Sequence, residues 1–297
     1  MPDATPVPDD REVTVALVRS LLDEQRPDLA RLDVRHVADG WDNAVFRLGD
    51  RLAARLPRRS TDIVGNDVAW LPRLAGRFTV PVPAAVFVGR PGRGYPWPWS
   101  IVPWFEGDLV ALSPVAERAT LVADLAVFLR ELHVPAPADA PVNAVRGVPL
   151  ATRGEAMRAR FATGLLPDAA RLRRVWQESL ATPGWTGAPL WIHGDLHPAN
   201  LLGLDGRLAA VIDFGDLTSG DPATDLATAW LTFDPESRAA LRDALGPDDD
   251  TWRRARGWAV VMAAAIHVSP QSDATLRGVS THALGEIARD DAVRPGG

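Results

Sequence analysis

Three oxygen-bearing side chains in the second half of the chain have types and a spacing that could do chemistry. Asp195 is followed by Asn200 five residues later and by Asp213 thirteen residues after that. They lie in two short segments, Trp191-Ile192-His193-Gly194-Asp195-Leu196-His197-Pro198-Ala199-Asn200 and Val211-Ile212-Asp213-Phe214-Gly215-Asp216. In the first, an apolar run delivers a polar loop; in the second, an apolar run ends in an acid ahead of a glycine. Hard oxygen ligands suit Mg²⁺, and a further carboxylate can orient or deprotonate an attacking hydroxyl. One carboxylate for a hydroxyl, one amide oxygen and one metal carboxylate are what phosphoryl transfer from a magnesium nucleotide requires. Taken singly, the residues read as a helix cap, a loop asparagine and a turn after a strand. The joint spacing carries the chemical reading.

A second arrangement uses the alternation of His193, Asp195 and His197. On a strand these side chains share one face, and two imidazoles with a carboxylate could bind zinc or iron. Pro198 and the Asp213 segment fit that picture poorly. His193 is expected to hold the loop by hydrogen bonds instead.

The elements that must position these groups change character along the chain. Asp9 or Asp10 can cap a first helix reaching Gln25, with Val13, Leu17 and Leu21 on one face. Residues 33–38, 44–48 and 52–56 are β-leaning runs separated by glycine-containing turns, a three-stranded antiparallel meander. A helix over 64–75 follows despite Pro72, then two strands over 84–89 and 99–105. After Gly107 the pattern is mostly helical, with a helix from Ser113-Pro114 to His133, a proline-marked loop, and helices over 153–162, 168–181, 224–232, 235–245, 250–267 and 274–290. One strand-like pair, Leu190–Ile192 with Leu208–Asp213, interrupts them. The expectation is an α+β fold in two parts: a β-rich lobe over 1–103 and a helical lobe over 104–297, with ligands in a cleft between them.

Composition narrows the function. A net charge of −6 argues against a nucleic-acid partner, which would call for a basic surface. With no cysteine, disulfides, thiolate catalysis and Cys-bound metals are excluded, in keeping with a reducing cytoplasm. All 32 basic side chains are arginine, and the absence of lysine rules out a Walker phosphate loop, Schiff-base chemistry and pyridoxal catalysis. Any phosphate-binding cation must then be arginine or histidine. The N-terminus lacks a basic region followed by an apolar run, and the longest apolar stretch, Trp258–Ile266, is too short to span a bilayer. A cytoplasmic protein without a membrane partner is expected.

His193-Gly194-Asp195-Leu196-His197-Pro198-Ala199-Asn200 with Ile212-Asp213-Phe214-Gly215 resembles the catalytic loop and metal motif of protein kinases, in the variant of the aminoglycoside phosphotransferase family. That resemblance implies a protein-kinase-like fold, with a small antiparallel N-terminal lobe and a larger, mainly helical C-terminal lobe. It makes Asp195 the catalytic base and Asn200 and Asp213 the Mg²⁺ ligands. His197 falls where protein kinases carry a phosphate-contacting lysine. Asp225 matches a buried aspartate that hydrogen-bonds the catalytic-loop backbone, while its ordinary reading is an exposed first-turn helix carboxylate.

The resemblance also assigns a nucleotide side. Gly40 and Asn43 fall in the turn that covers the phosphates. Arg55 takes the place of the phosphate-binding lysine, and Asp67 that of its glutamate partner. Val102, Pro103 and Phe105 fall in the hinge that meets the adenine, Pro103 by its carbonyl and Phe105 by its N–H. The implied reaction uses ATP, or GTP in its place, and phosphorylates a hydroxyl of a small molecule, either an aminoglycoside or macrolide antibiotic (hence resistance) or a hydroxylated metabolite. The departure at Arg55 and Asp67 motivates an alternative, a pseudokinase-like nucleotide-binding protein without turnover. Asp216, Asp234, Glu236, Asp273, Glu286, Asp290 and Asp291 are candidate contacts for a cationic acceptor.

Overall fold

The computed structural model describes residues 13–39, 43–58 and 65–292. The chain divides into two compact units: residues 1–76 with 82–105, and residues 77–81 with 106–297.

The first unit begins with helix α1 (Val15–Gln25) and continues through strands β1 (Val34–Asp39), β2 (Asn43–Leu48) and β3 (Leu52–Pro57). Helix α2 (Asn66–Leu74), β4 (Phe87–Gly89) and β5 (Trp99–Pro103) complete it. The five strands form one antiparallel sheet in the order β1-β2-β3-β5-β4. Along β2, Ala44, Phe46 and Leu48 are buried and alternate with half-buried residues, as a strand with one core face requires. Val18, Leu21 and Leu22 of α1 join them in a core with Tyr95, Trp99 and Ile101. The cap of α1 is Thr14, whose Oγ1 accepts from Leu17 N at 3.3 Å. The predicted caps Asp9 and Asp10 lie outside the described residues. Pro72 lies in the last turn of α2, where it forgoes the hydrogen bond to the Val68 carbonyl.

The second unit opens with β6 (Asp108–Leu109), α3 (Val122–Leu132), α4 (Gly154–Ala162) and α5 (Ala169–Leu180). Strands β7 (Leu190–Ile192), β8 (Leu201–Leu204), β9 (Arg207–Val211) and β10 (Thr218–Gly220) follow, then α6 (Ala223–Leu226), α7 (Thr228–Thr232), α8 (Pro235–Leu245), α9 (Asp249–Val268) and α10 (Ala274–Ala292). The helix expected from Ser113-Pro114 starts as a 3-10 segment, Val115–Leu121, before becoming α3. The two strand-like runs do not pair with each other: β7 pairs with β10, and β9 pairs with β8, which also pairs with β6. Strands of two to four residues carry too little alternation to be recognised from sequence, which is why β6, β8 and β10 were not foreseen.

Helix α9 is the spine of this unit. Asp248 caps it, accepting from Thr251 N at 2.6 Å and Thr251 Oγ1 at 3.0 Å, and α9 is buried almost continuously from Arg254 to Ala264. It packs against α4, α5, α6, α7 and α10, which explains why residues 257–266 are apolar nearly all round. No helix of the described residues is long and apolar enough to cross a membrane.

Gly257 lets α5 approach this spine. A Cβ there would stand 2.5 Å from Leu150 Cδ2 and 2.6 Å from Ser179 Cβ. Alanine is the better helix former by about 1 kcal/mol, but overpacking of this kind costs about 1–3 kcal/mol. Gly257→Ala should therefore lower the midpoint of urea unfolding. A midpoint that holds or rises would show that α5 yields without cost.

Candidate active site

The loop between β7 and β8 carries the most concentrated polar chemistry of the second unit, and it is fixed from below. Asp225, in α6, is fully buried, and its two carboxylate oxygens accept from His193 N at 2.8 Å and Gly194 N at 2.9 Å. His133 Nε2 stands 3.1 Å from the same carboxylate. A buried carboxylate is tolerable only when its oxygens are satisfied in this way. The apolar residues around it, Ala223, Leu226 and Ala227, are also buried, so the carboxylate has no route to water and must take the loop amides.

His193 does the next piece of positioning. Its Nε2 lies 2.9 Å from Ile212 O and its Nδ1 accepts from Asp195 N at 3.2 Å, so the Nε2–H tautomer satisfies both contacts. The ring also packs on Phe214, with centroids 4.5 Å apart. Both nitrogens are thus occupied by backbone, which leaves none for a metal. Among the described residues no three His, Cys, Asp or Glu side chains gather as a metal site. The zinc or iron arrangement of His193, Asp195 and His197 is therefore not formed. Gly194 has φ +88°, and a Cβ there would be 2.5 Å from Asp216 O. Only glycine fits this turn.

Asn200 and Asp213 are brought to the same end of the β8–β9 hairpin. Leu201 pairs with Val211, and one residue outward Ile212 N donates to Asn200 O at 2.9 Å. Asn200 Nδ2 donates to Asp195 O at 2.9 Å, so its amide oxygen points elsewhere. Asp213 follows immediately, exposed and in the left-handed region at φ +61°, a conformation that aspartate adopts more readily than most residues. An amide oxygen and a carboxylate are the kinds of ligand that suit a magnesium ion bringing its remaining ligands with it as phosphate and water.

Asp195 is one-third exposed, and its two oxygens face Arg146 and His197. Arg146 Nη2 donates to Oδ1 at 2.7 Å, and His197 Nε2 stands 3.4 Å from Oδ2. Burial pushes the carboxyl up, but Arg146, then His197 and His193, outweigh it and hold Asp195 well below the usual carboxylate range. His197 is buried, and its Nδ1 has no hydrogen-bond partner.

Arg146 was not foreseen. Its Nε also donates to Asp216 Oδ2 at 3.3 Å, and Asn143 Nδ2 donates to Asp216 Oδ1 at 2.8 Å. Nothing in the sequence marks it, because it lies 49 residues before its partner in a loop of mixed composition. His133 escaped notice for the same reason.

The first unit holds its own set. Arg55 Nη1 on β3 donates to Asp67 Oδ2 on α2 at 2.7 Å, with both side chains largely buried. Val102 and Pro103 end β5, paired with Ala53 and Leu52. Phe105 lies just beyond, and its N–H donates to no described group. Asn43 begins β2 opposite Pro57. Gly40 lies outside the described residues.

The phosphotransferase enzyme family matches residues 33–258 of the chain. Among solved structures, an aminoglycoside 2'-phosphotransferase-IIIa in complex with GDP superposes with a TM-score of 0.69 at 21% identity, covering 94% of this chain and 99% of that one. The macrolide 2'-phosphotransferase MphH from Brachybacterium faecium superposes with a TM-score of 0.54 at 24% identity, over 94% and 99% of the two chains. A thermostable aminoglycoside phosphotransferase bound to ADP and hygromycin B gives 0.60 at 16% identity, over 94% and 100%. At these identities the likeness concerns the fold. No curated protein matches the sequence.

Asp225→Asn tests the support of the loop. The amide offers one oxygen in place of two, so one loop N–H faces an NH₂ group, a loss of about 1–3 kcal/mol. Hydrogen exchange at the His193 and Gly194 amides should quicken by about tenfold or more. Unchanged exchange would mean that something else holds the loop.

Proposed function

This chain belongs to the phosphotransferase enzyme family, and on that premise we propose that it moves the γ-phosphoryl group of ATP or GTP to a hydroxyl of a small molecule. The acceptor oxygen would attack the γ-phosphorus, the bond to the β,γ-bridging oxygen would break, and the acceptor proton would pass to the Asp195 carboxylate. The observation that carries the reading is the shared anchoring of Asp195, Asn200 and Asp213. Asp225 fixes the loop, and the rung Ile212 N to Asn200 O ties the backbone of Asn200 to the residue before Asp213.

Asn200 and Asp213 would hold the Mg²⁺ that arrives with the nucleotide, which when bound neutralises phosphate charge. Asp195, kept ionised by Arg146 and His197, would orient the hydroxyl and take its proton late, since a weakly basic carboxylate accepts it only as the new P–O bond forms. His197, with its buried and unpartnered Nδ1, would face the transferring phosphoryl group. In the first unit, Arg55, oriented by Asp67, would hold the α/β-phosphates. Arginine is longer than lysine and aspartate shorter than glutamate, and the pair closes at 2.7 Å. That closure favours an active enzyme over a pseudokinase-like binding protein. Solved relatives in fold carry GDP, ADP or ATP, so both donors belong in the test. The acceptor class would lie among hydroxylated antibiotics and metabolites.

A coupled ADP- and GDP-release assay against aminoglycosides, macrolides and hydroxylated metabolites should find acceptor-dependent release. Asp195→Ala and Asp213→Ala should each lower turnover by about two to four orders of magnitude without shifting the unfolding midpoint by more than a small amount. Wild-type turnover in both variants would refute the assignment. Arg55→Ala should raise the nucleotide KM far more than it lowers kcat; an unaltered KM would move the phosphate contact elsewhere.

A further inference from the structure

Arg146 is a built feature of the site. Its loop is tied down along its length: Pro141 O accepts from Ser219 N at 2.9 Å and from Thr218 Oγ1 at 2.8 Å, and Asn143 N donates to Thr218 Oγ1 at 2.8 Å. Gly147 N donates to Thr224 Oγ1 at 3.1 Å, and Asp221 N donates to Gly147 O at 3.0 Å. Asn143 Oδ1 accepts from Val145 N and Arg146 N, at 2.8 and 3.2 Å, so the backbone beneath the arginine is itself folded onto the asparagine. The guanidinium is 18% exposed and bridges two separate carboxylates, Asp195 and Asp216. A cation held this way behaves as part of the site wall.

The same carboxylates are the ones an ammonium group on an acceptor would seek. Asp195 and Asp216 are each about one-third exposed, but Arg146 already occupies one oxygen of each. Further arginines follow Arg146 along the chain, Arg153 and Arg160 among them. Arg153 Nε is buried without a hydrogen-bond partner, and the guanidinium is destabilised by burial and then by Arg146. Arg160, within α4, is pushed down to about 10 by burial, then by Arg153 and Arg146. Among the described residues no carboxylate forms an ion pair with either of them.

Several other acids of this unit are committed elsewhere. Asp234 and Asp273 cap helices, through Ser237 N and Leu276 N, both at 2.8 Å. Glu286 and Asp290 grip the buried Arg238 at 3.1 and 2.9 Å. Asp221 grips Arg254 at 2.8 Å.

We propose that Arg146 determines acceptor specificity: it occupies the carboxylates an ammonium group would take, and so restricts the site to hydroxyl compounds with no cationic group at the reacting end. This rests on the reading of Asp195 as the residue that meets the acceptor. The acceptor is then neutral or anionic around the hydroxyl, and a polyamine sugar is excluded by like charge.

The test is calorimetric titration of the full chain with kanamycin, a polycation, in the presence of a non-hydrolysable ATP analogue. The wild type should bind no tighter than about the millimolar range. Arg146→Met, which keeps the bulk and removes the charge, should bind at least about tenfold tighter. Arg146→Lys, which keeps the charge, should stay as weak as the wild type, and this separates charge from packing. Micromolar binding by the wild type overturns the inference without any variant, which covers a methionine variant that does not fold. A folded Arg146→Met that gains nothing, or an Arg146→Lys that gains as much as the methionine variant, also overturns it. Because the titration needs no turnover, micromolar wild-type binding beside acceptor-dependent ADP release would remove this inference and leave the transfer reaction standing. Absence of acceptor-dependent ADP release, beside weak kanamycin binding by the wild type and tighter binding by Arg146→Met, would do the reverse.

Discussion

One buried carboxylate organises the polar heart of the helical unit. Asp225 has no contact with water, so its charge must be met by hydrogen bonds, and the groups available are the amides of His193 and Gly194 and the His133 ring. That requirement fixes the start of the loop. His193 then reaches across to Ile212 O and back to Asp195 N, which ties the loop to the strand carrying Asp213. The exposed side chains Asp195 and Asp213 thus stand on backbone that buried groups have immobilised. This is how a reactive centre on loops becomes preorganised.

Charge is handled throughout with arginine alone. In the first unit Arg55 meets Asp67, and in the second Arg146 bridges Asp195 and Asp216, Arg238 bridges Glu286 and Asp290, and Arg254 meets Asp221. The planar guanidinium suits this, because it can satisfy two acceptors at once where an ammonium acts as a point charge. One result is that most acids of the helical unit serve the fold. The carboxylates that looked from sequence like a polycation site are mainly caps and internal counterions.

The sheet of the first unit was legible because its strands alternate and its turns contain glycine, so β1, β2 and β3 lie within a residue or two of the expected runs. The longer helices were legible for the corresponding reason: α8, α9 and α10 carry enough periodic apolar residues to declare themselves. The short strands β6, β8 and β10 did not. Their pairing depends on chain segments far apart in sequence, so the pairing of β7 with β10 could not be read from either run alone. Helix α1 begins at Thr14 because the hydroxyl there meets Leu17 N, a choice between several acceptable caps that local sequence leaves open.

Of the site, the sequence by itself determined the identities and order of Asp195, Asn200 and Asp213, since a covalent spacing of five and thirteen residues is written in the chain. It determined too that every strong cation would be arginine. The tertiary structure alone decided which arginine meets which acid. Arg146 lies 49 residues from Asp195 and 70 from Asp216, and only the anchoring of its loop to residues 218–224 brings it there. Electrostatic partnership depends on distance through space, and a folded chain sets that distance independently of separation along the sequence.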